Sequence, residues 1–132
     1  MSIKVIVADD DTLFREGVCL LIGGEEDMEV VGRTGETEGL TAMVQWLDPD
    51  VLVIAVDMMR GDGLKAGMRV RAGSPDLPIL AIVSEPTPRE RDEVARAGFS
   101  GYLGKICTSQ DLSNAIRTLS RGGGLFPDPT KK

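Results

Sequence analysis

The sequence predicts an open α/β sheet with helices on both faces, and three observations lead there. Apolar, β-branched runs of strand length alternate five times with segments of helical period. The run at 51–56 (VLVIAV) is apolar throughout, as a central parallel strand covered on both faces requires. Charged residues collect just after the first, third and last of these runs, and an open doubly wound sheet keeps its functional groups at the carboxyl ends of its strands.

The elements follow in order. The first strand is 3–8 (IKVIVA), and a helix over 11–22 can place Leu13, Val18, Leu21 and Ile22 on one face. A second strand, 29–32, centres on Val30 and Val31. The helix over 36–47 turns Leu40, Met43, Val44 and Leu47 inward. After the central strand, Asp62-Gly63 can make a tight turn and start a weaker helix over 64–72. The fourth strand is 78–83 (PILAIV). Thr87-x-x-Glu90, with Pro88 at the first helical position, marks the start of a helix over 88–97. A short strand at 100–103 and a helix over 109–120, carrying Leu112, Ile116 and Leu119, complete the series. The glycines at 122–124 stop that helix. One domain is therefore expected over 1–124, with 125–132 a tail or the start of a linker.

Bulk composition narrows the function. The chain has 132 residues, 42% hydrophobic and 27% charged, an ordinary globular balance. A net charge of −6 disfavours nucleic-acid binding by this segment itself. Cys19 and Cys107 lack metal or redox spacing and histidine is absent, so a reducing, cytoplasmic setting is expected and a zinc site is not. The longest apolar run is strand-sized, so no membrane association is expected.

The strand ends hold the candidate chemistry. Asp9-Asp10-Asp11 offers hard oxygen ligands for Mg²⁺, although Asp11 also suits a helix cap. Lys105, after the last strand, can reach across the strand ends as a compact point charge.

These residues belong to longer patterns. Val7-Ala8-Asp9-Asp10-Asp11-x-Leu13-Phe14-Arg15-Glu16-Gly17-Val18 opens the chain. Pro49-Asp50 precedes the third strand and Met58-x-x-x-Asp62-Gly63 follows it; Ala97-Gly98-x-x-Gly101-Tyr102-Leu103-x-Lys105 closes the series. In order and spacing, over essentially the whole chain, they resemble receiver domains of NarL/FixJ-type bacterial response regulators. The resemblance implies a flavodoxin-like sheet of order 2-1-3-4-5, a metal pair at Asp9 and Asp10, a phosphate-binding Lys105 and a switch aromatic at Tyr102. The family's Asp-x-x-Met-Pro-x-x-Asp/Asn-Gly motif, laid on without gaps, puts the phosphoacceptor on Ala55 and the proline on Met59. The switch Ser/Thr, five residues after Pro78 and twenty-two before Lys105, falls on Val83.

The physical consequence is direct. Alanine has no nucleophile, so no acyl phosphate can form at Ala55. Valine cannot hydrogen-bond a phosphoryl oxygen, which uncouples Val83 from Tyr102. Two acids against one base leave a pocket charge near −1, where a third carboxylate would make it −2. Mg²⁺ binding is expected to weaken, and no cofactor is required. Asp57, two residues past Ala55, would need its loop refolded to substitute. Met59 and Val83 depart together with Ala55, which favours natural divergence over an introduced Asp-to-Ala change in a conventional receiver. Lys105 is expected to pair with Asp10 or Asp9.

The resemblance then implies a non-enzymatic, atypical receiver that regulates an attached C-terminal helix-turn-helix domain. The means would be homodimerisation or contact with a protein or small-molecule regulator. The first and last helices form one candidate face, through Arg15, Glu16 and Cys19 on the first and Asn114, Arg117, Thr118 and Arg121 on the last; the fourth and fifth β–α units form another. A sensor whose altered pocket binds a small molecule is the alternative. An enzyme or flavin carrier on this fold is disfavoured, because three acids after the first strand repel phosphate.

Overall fold

A computed structural model describes residues 2–128 and alternates strands and helices throughout. The elements are β1 (Ile3–Ala8), α1 (Thr12–Gly23), β2 (Met28–Thr34), α2 (Leu40–Leu47), β3 (Val51–Ala55), α3 (Gly63–Gly73), β4 (Ile79–Val83), α4 (Pro88–Arg96), β5 (Gly101–Gly104) and α5 (Ser109–Ser120). The five strands pair in parallel in the order β2-β1-β3-β4-β5, the expected doubly wound topology. No helix among the described residues is long and apolar enough to cross a membrane.

Strand alternation divides the core into two layers. Val5, Val7, Val51, Val53, Leu80 and Ile82 meet Val18 and Ile22 of α1 and Leu112, Ile116 and Leu119 of α5. Ile6, Leu52, Ile54, Ala81 and Val83 turn the other way, to Leu40 and Val44 of α2, Val70 of α3 and Val94 of α4. β3 and β4 are buried along their full lengths, which is why their sequences carry no polar alternation.

Helix starts follow local chemistry. Asp11 caps α1 by accepting from the Phe14 N–H, and Asp62 caps α3 by accepting from the Lys65 N–H. Thr87 accepts from the Glu90 N–H with Pro88 in the first turn, as the sequence indicates. A reciprocal capping box instead stands at Thr108 and Asp111, ahead of α5.

Four expectations need correction. α2 begins at Leu40, not at 36, because Gly39 has φ of 81°, a left-handed conformation that cannot continue a helix. β2 runs longer than 29–32, from Met28 to Thr34, with a register shift against β1; strand alternation puts Val30 on one layer and Val31 on the other. Of the residues expected inward on α1, Leu13 is 86% exposed and Leu21 45%; Phe14, Val18, Cys19 and Ile22 take the inner face, and Leu20 is 78% exposed. Cys19 is therefore unavailable outward, and Arg117 is not free: it holds Asp27 and Glu25 on the α1–β2 connection at 2.8–3.0 Å.

Past Gly122, whose φ of 87° turns the chain, the structure does not trail off. Leu125 forms a parallel bridge to Gly101 on the open edge of β5. Packing thus continues beyond residue 124, while the final stretch anticipated as tail or linker, 129–132, lies outside the described residues. Trp46, on α2, is 86% exposed.

Candidate functional site

Cross-strand register brings the singled-out positions together. Val7 pairs with Val53 and Ala55 with Ile82, so Asp9 and Ala55 continue neighbouring rows at the carboxyl edge, on the layer facing α1 and α5. Lys105 follows β5 directly, and its N–H donates to the Val83 carbonyl at 2.8 Å.

Asp9 is 2% exposed. Its Oδ1 accepts from the Asp11 N–H at 3.0 Å, and its own carbonyl accepts from Arg15 Nη1 at 2.8 Å. Its Oδ2 has no hydrogen-bond donor and meets only the Lys105 ammonium, 3.5 Å away. Burial pushes the Asp9 carboxyl above the usual carboxylate range, although the Asp11 N–H and Lys105 pull the other way. Lys105 Nζ also stands 3.7 Å from Asp11 Oδ2 and 4.8 Å above the Phe14 ring. Asp11, held by the Phe14 N–H and by Lys105, is shifted below the usual range.

Asp10 does not join this group. Its Oδ2 accepts from the Arg60 N–H at 2.7 Å and ties the β1 end to the β3–α3 loop. The expected lysine pair is thus formed by Asp9, with Asp11 as the second anion, and not by Asp10. Sequence reasoning includes Asp11 among the strand-end acids but not as a partner of Lys105, and it misses Phe14, because an aromatic in a first turn carries a full structural explanation by itself.

Ala55 closes β3 with 1% exposure. A Cβ on Gly63 would overlap the Ala55 carbonyl oxygen, so α3 starts directly against the strand end. Val83 is fully buried in the same apolar layer as Tyr102. Ser84, one step later, is exposed, and its N–H donates to the Asp57 carboxylate at 3.2 Å. Asp57 is exposed and bridges Asp62, beyond the strand.

Mg²⁺ does not fit these residues as arranged. Asp10 is committed to a backbone N–H, and Asp9 and Asp11 already face an ammonium. Among the described residues, no three acidic, cysteine or histidine side chains are grouped to hold a metal.

What the sheet order and this strand-end grouping define is a receiver-type domain, and similarity runs the same way. The response regulator receiver domain family matches residues 5–117, and the chain belongs to that family. The transcriptional regulatory protein YxjL of Bacillus subtilis (strain 168), itself uncharacterized, is 34% identical over 125 residues, covering 95% of this chain and 57% of that protein. VraR of Staphylococcus aureus (strain Mu3 / ATCC 700698) is 29% identical over 126 residues, 96% of this chain and 60% of its own length. The chain thus spans somewhat more than half of these relatives. Among solved structures, the receiver domain of the putative response regulator NarL from Mycobacterium tuberculosis superposes with a TM-score of 0.83 at 26% identity, over 92% of this chain and 98% of that one. A LuxR-family regulator from Aurantimonas sp. SI85-9A1 gives 0.88 at 22% identity, over 95% and 89%, a likeness of fold.

Proposed function

We propose that this chain is the receiver of a NarL/FixJ-type transcriptional regulator that works without aspartyl phosphorylation. One observation carries the reading: alanine ends β3 where the family motif calls for the nucleophile, and Lys105 is already neutralised by Asp9 and Asp11. Phosphoryl transfer to a receiver relies on a nucleophile plus positioned charge. Here the first is replaced by a methyl group and the second is spent internally. Val83 extends the argument, since it offers no hydroxyl to Tyr102's side of the switch.

Regulation then falls to protein contact. α1 presents Leu13 and Leu20, seven residues apart and hence on one helix face, with open space over Gly17 between them. A second copy meeting this stripe and the neighbouring α5 would form a self-complementary interface. DNA contact belongs to a helix-turn-helix domain joined to the receiver, in keeping with the regulatory name and greater length of YxjL. The module is regulatory, not catalytic.

The test is phosphorylation itself. Incubation with acetyl phosphate and Mg²⁺ leaves the intact mass unchanged; a hydroxylamine-labile gain of one phosphoryl group overturns the proposal. A small-molecule sensor is the second reading, favoured by an open cleft of about 910 Å³ lined by Asp10, Arg15, Arg33, Thr37 and Arg60. Thermal-shift screening of metabolites separates it from the first, because a sensor gains stability with its ligand at fixed protein concentration.

A further inference from the structure

We infer that residues 125–128 are a strap latched on Tyr102, so that the setting of this aromatic and the path of the chain leaving α5 form one coupled variable. The inference stands whether or not the domain is phosphorylated.

Hydrogen bonds and a ring pair fasten the strap. The Leu125 N–H donates to the Ser100 carbonyl at 3.1 Å, and the Leu125 carbonyl accepts from the Tyr102 N–H at 2.9 Å, which extends the sheet beyond β5. The Tyr102 hydroxyl donates to the Pro127 carbonyl at 2.9 Å. From α4, Arg91 Nε donates to the Phe126 carbonyl at 3.2 Å. The Phe126 ring lies 6.2 Å from the Tyr102 ring at an interplanar angle of 30°. Gly101 makes room for all of this: a Cβ there would sit 2.6 Å from the Leu125 carbonyl oxygen.

The strap also packs on both layers of the core, Leu125 against the one that includes α5 and Phe126 against the one that includes α4. Between it and α5 lies a groove of about 590 Å³, lined by Leu103, Cys107 and Ala115 opposite Leu125 and Pro127. The hydrogen bonds from α4 and β5, the ring pair and this half-buried packing at the chain's edge are contacts that a folded domain can open locally. Tyr102 lies 1% exposed beneath it and is the only tyrosine in the chain. Releasing the strap strips the phenol of its acceptor and its stacking partner together. By linkage, a partner that moves Tyr102 must loosen or tighten the strap, and anything that draws the strap away must act back on Tyr102. Where Val83 supplies no hydroxyl, the Pro127 carbonyl holds the phenol instead.

Amide exchange and NMR on the full chain test this. Tyr102→Phe deletes the hydroxyl and keeps the ring; Arg91→Lys keeps the charge and loses the guanidinium Nε. Both variants should raise exchange at the Leu125 N–H tenfold or more while amides of β1 and β3 keep their protection. Arg91→Lys should also shift the Cζ resonance of the single tyrosine. Leu125 exchange within twofold of the unmodified chain in both variants overturns the latch. A released Leu125 with an unmoved Tyr102 signal overturns the coupling.

Discussion

Lys105 stands 3.5 Å from an Asp9 oxygen that no hydrogen-bond donor satisfies, and 3.7 Å from Asp11. The ammonium stands between these two acids and supplies a positive charge from within the chain. Replacing it with Lys105→Met leaves a buried carboxylate without its cation. The variant should lose about 1–3 kcal/mol of stability, the scale of an unsatisfied buried polar group. Millimolar Mg²⁺ should then raise its Tm by more than it raises that of the unmodified chain. Equal Mg²⁺ responses would show that Lys105 does not guard the site.

Gly63 is a second place where the site tolerates nothing larger. A methyl group at this position would collide with the Ala55 carbonyl, and that backbone cannot swing aside as a side chain does. Gly63→Ala should cost about 3 kcal/mol or more through overpacking, read as a fall in the urea midpoint at constant m-value. A loss below about 1 kcal/mol would mean that α3 shifts freely relative to β3.

Arg117 sets a pH dependence. Its guanidinium holds Asp27 well below the usual 3.8, so Asp27 contributes stability above that value and loses it as pH falls through its lowered folded pKa. Arg117→Ala should therefore lower Tm at neutral pH. The gap from the unmodified chain should close as the solution is taken below about pH 3.8, once Asp27 protonates. A gap independent of pH would assign the effect of Arg117 to packing alone.

Leu20→Glu should weaken self-association at least tenfold in sedimentation equilibrium and leave Tm of the dilute protein nearly unchanged, because the side chain faces water in the single chain. A strict monomer across the concentration range, before any substitution, would remove the α1 face from the account.

The sheet is legible in the sequence because its signals are redundant. VLVIA and ILAIV have no polar residue to place on a solvent face, and Thr87-Pro88 and Asp62-Gly63 mark helix starts by capping chemistry alone. The helix faces are harder to read. Leu13 and Leu21 fit an inward stripe as well as Phe14 and Cys19 do, and only the packed layer shows which set is buried. The start of α2 is hidden because nothing in the composition of 36–39 announces that Gly39 adopts positive φ. At the site, the acids and the lysine are evident, but the direction each carboxylate turns depends on the loop that meets it. Asp10 faces Arg60, fifty residues away, and no local spacing encodes that. The strap is invisible for the same reason: Leu125 and Phe126 look like ordinary residues after a glycine run until β5 is seen to leave an edge for them.

Trp46 and Tyr102 divide the optical signals of this protein unevenly. The only tryptophan is already bathed in water on α2, so its emission should change little when the chain unfolds. The only tyrosine is buried against Phe126 and loses that shelter on melting. A denaturation curve followed at tryptophan wavelengths would look flat for a protein that is in fact unfolding, whereas the phenol absorbance would follow the transition. The indole retains a different use: a blue shift on mixing with another macromolecule would mean that something has settled over α2.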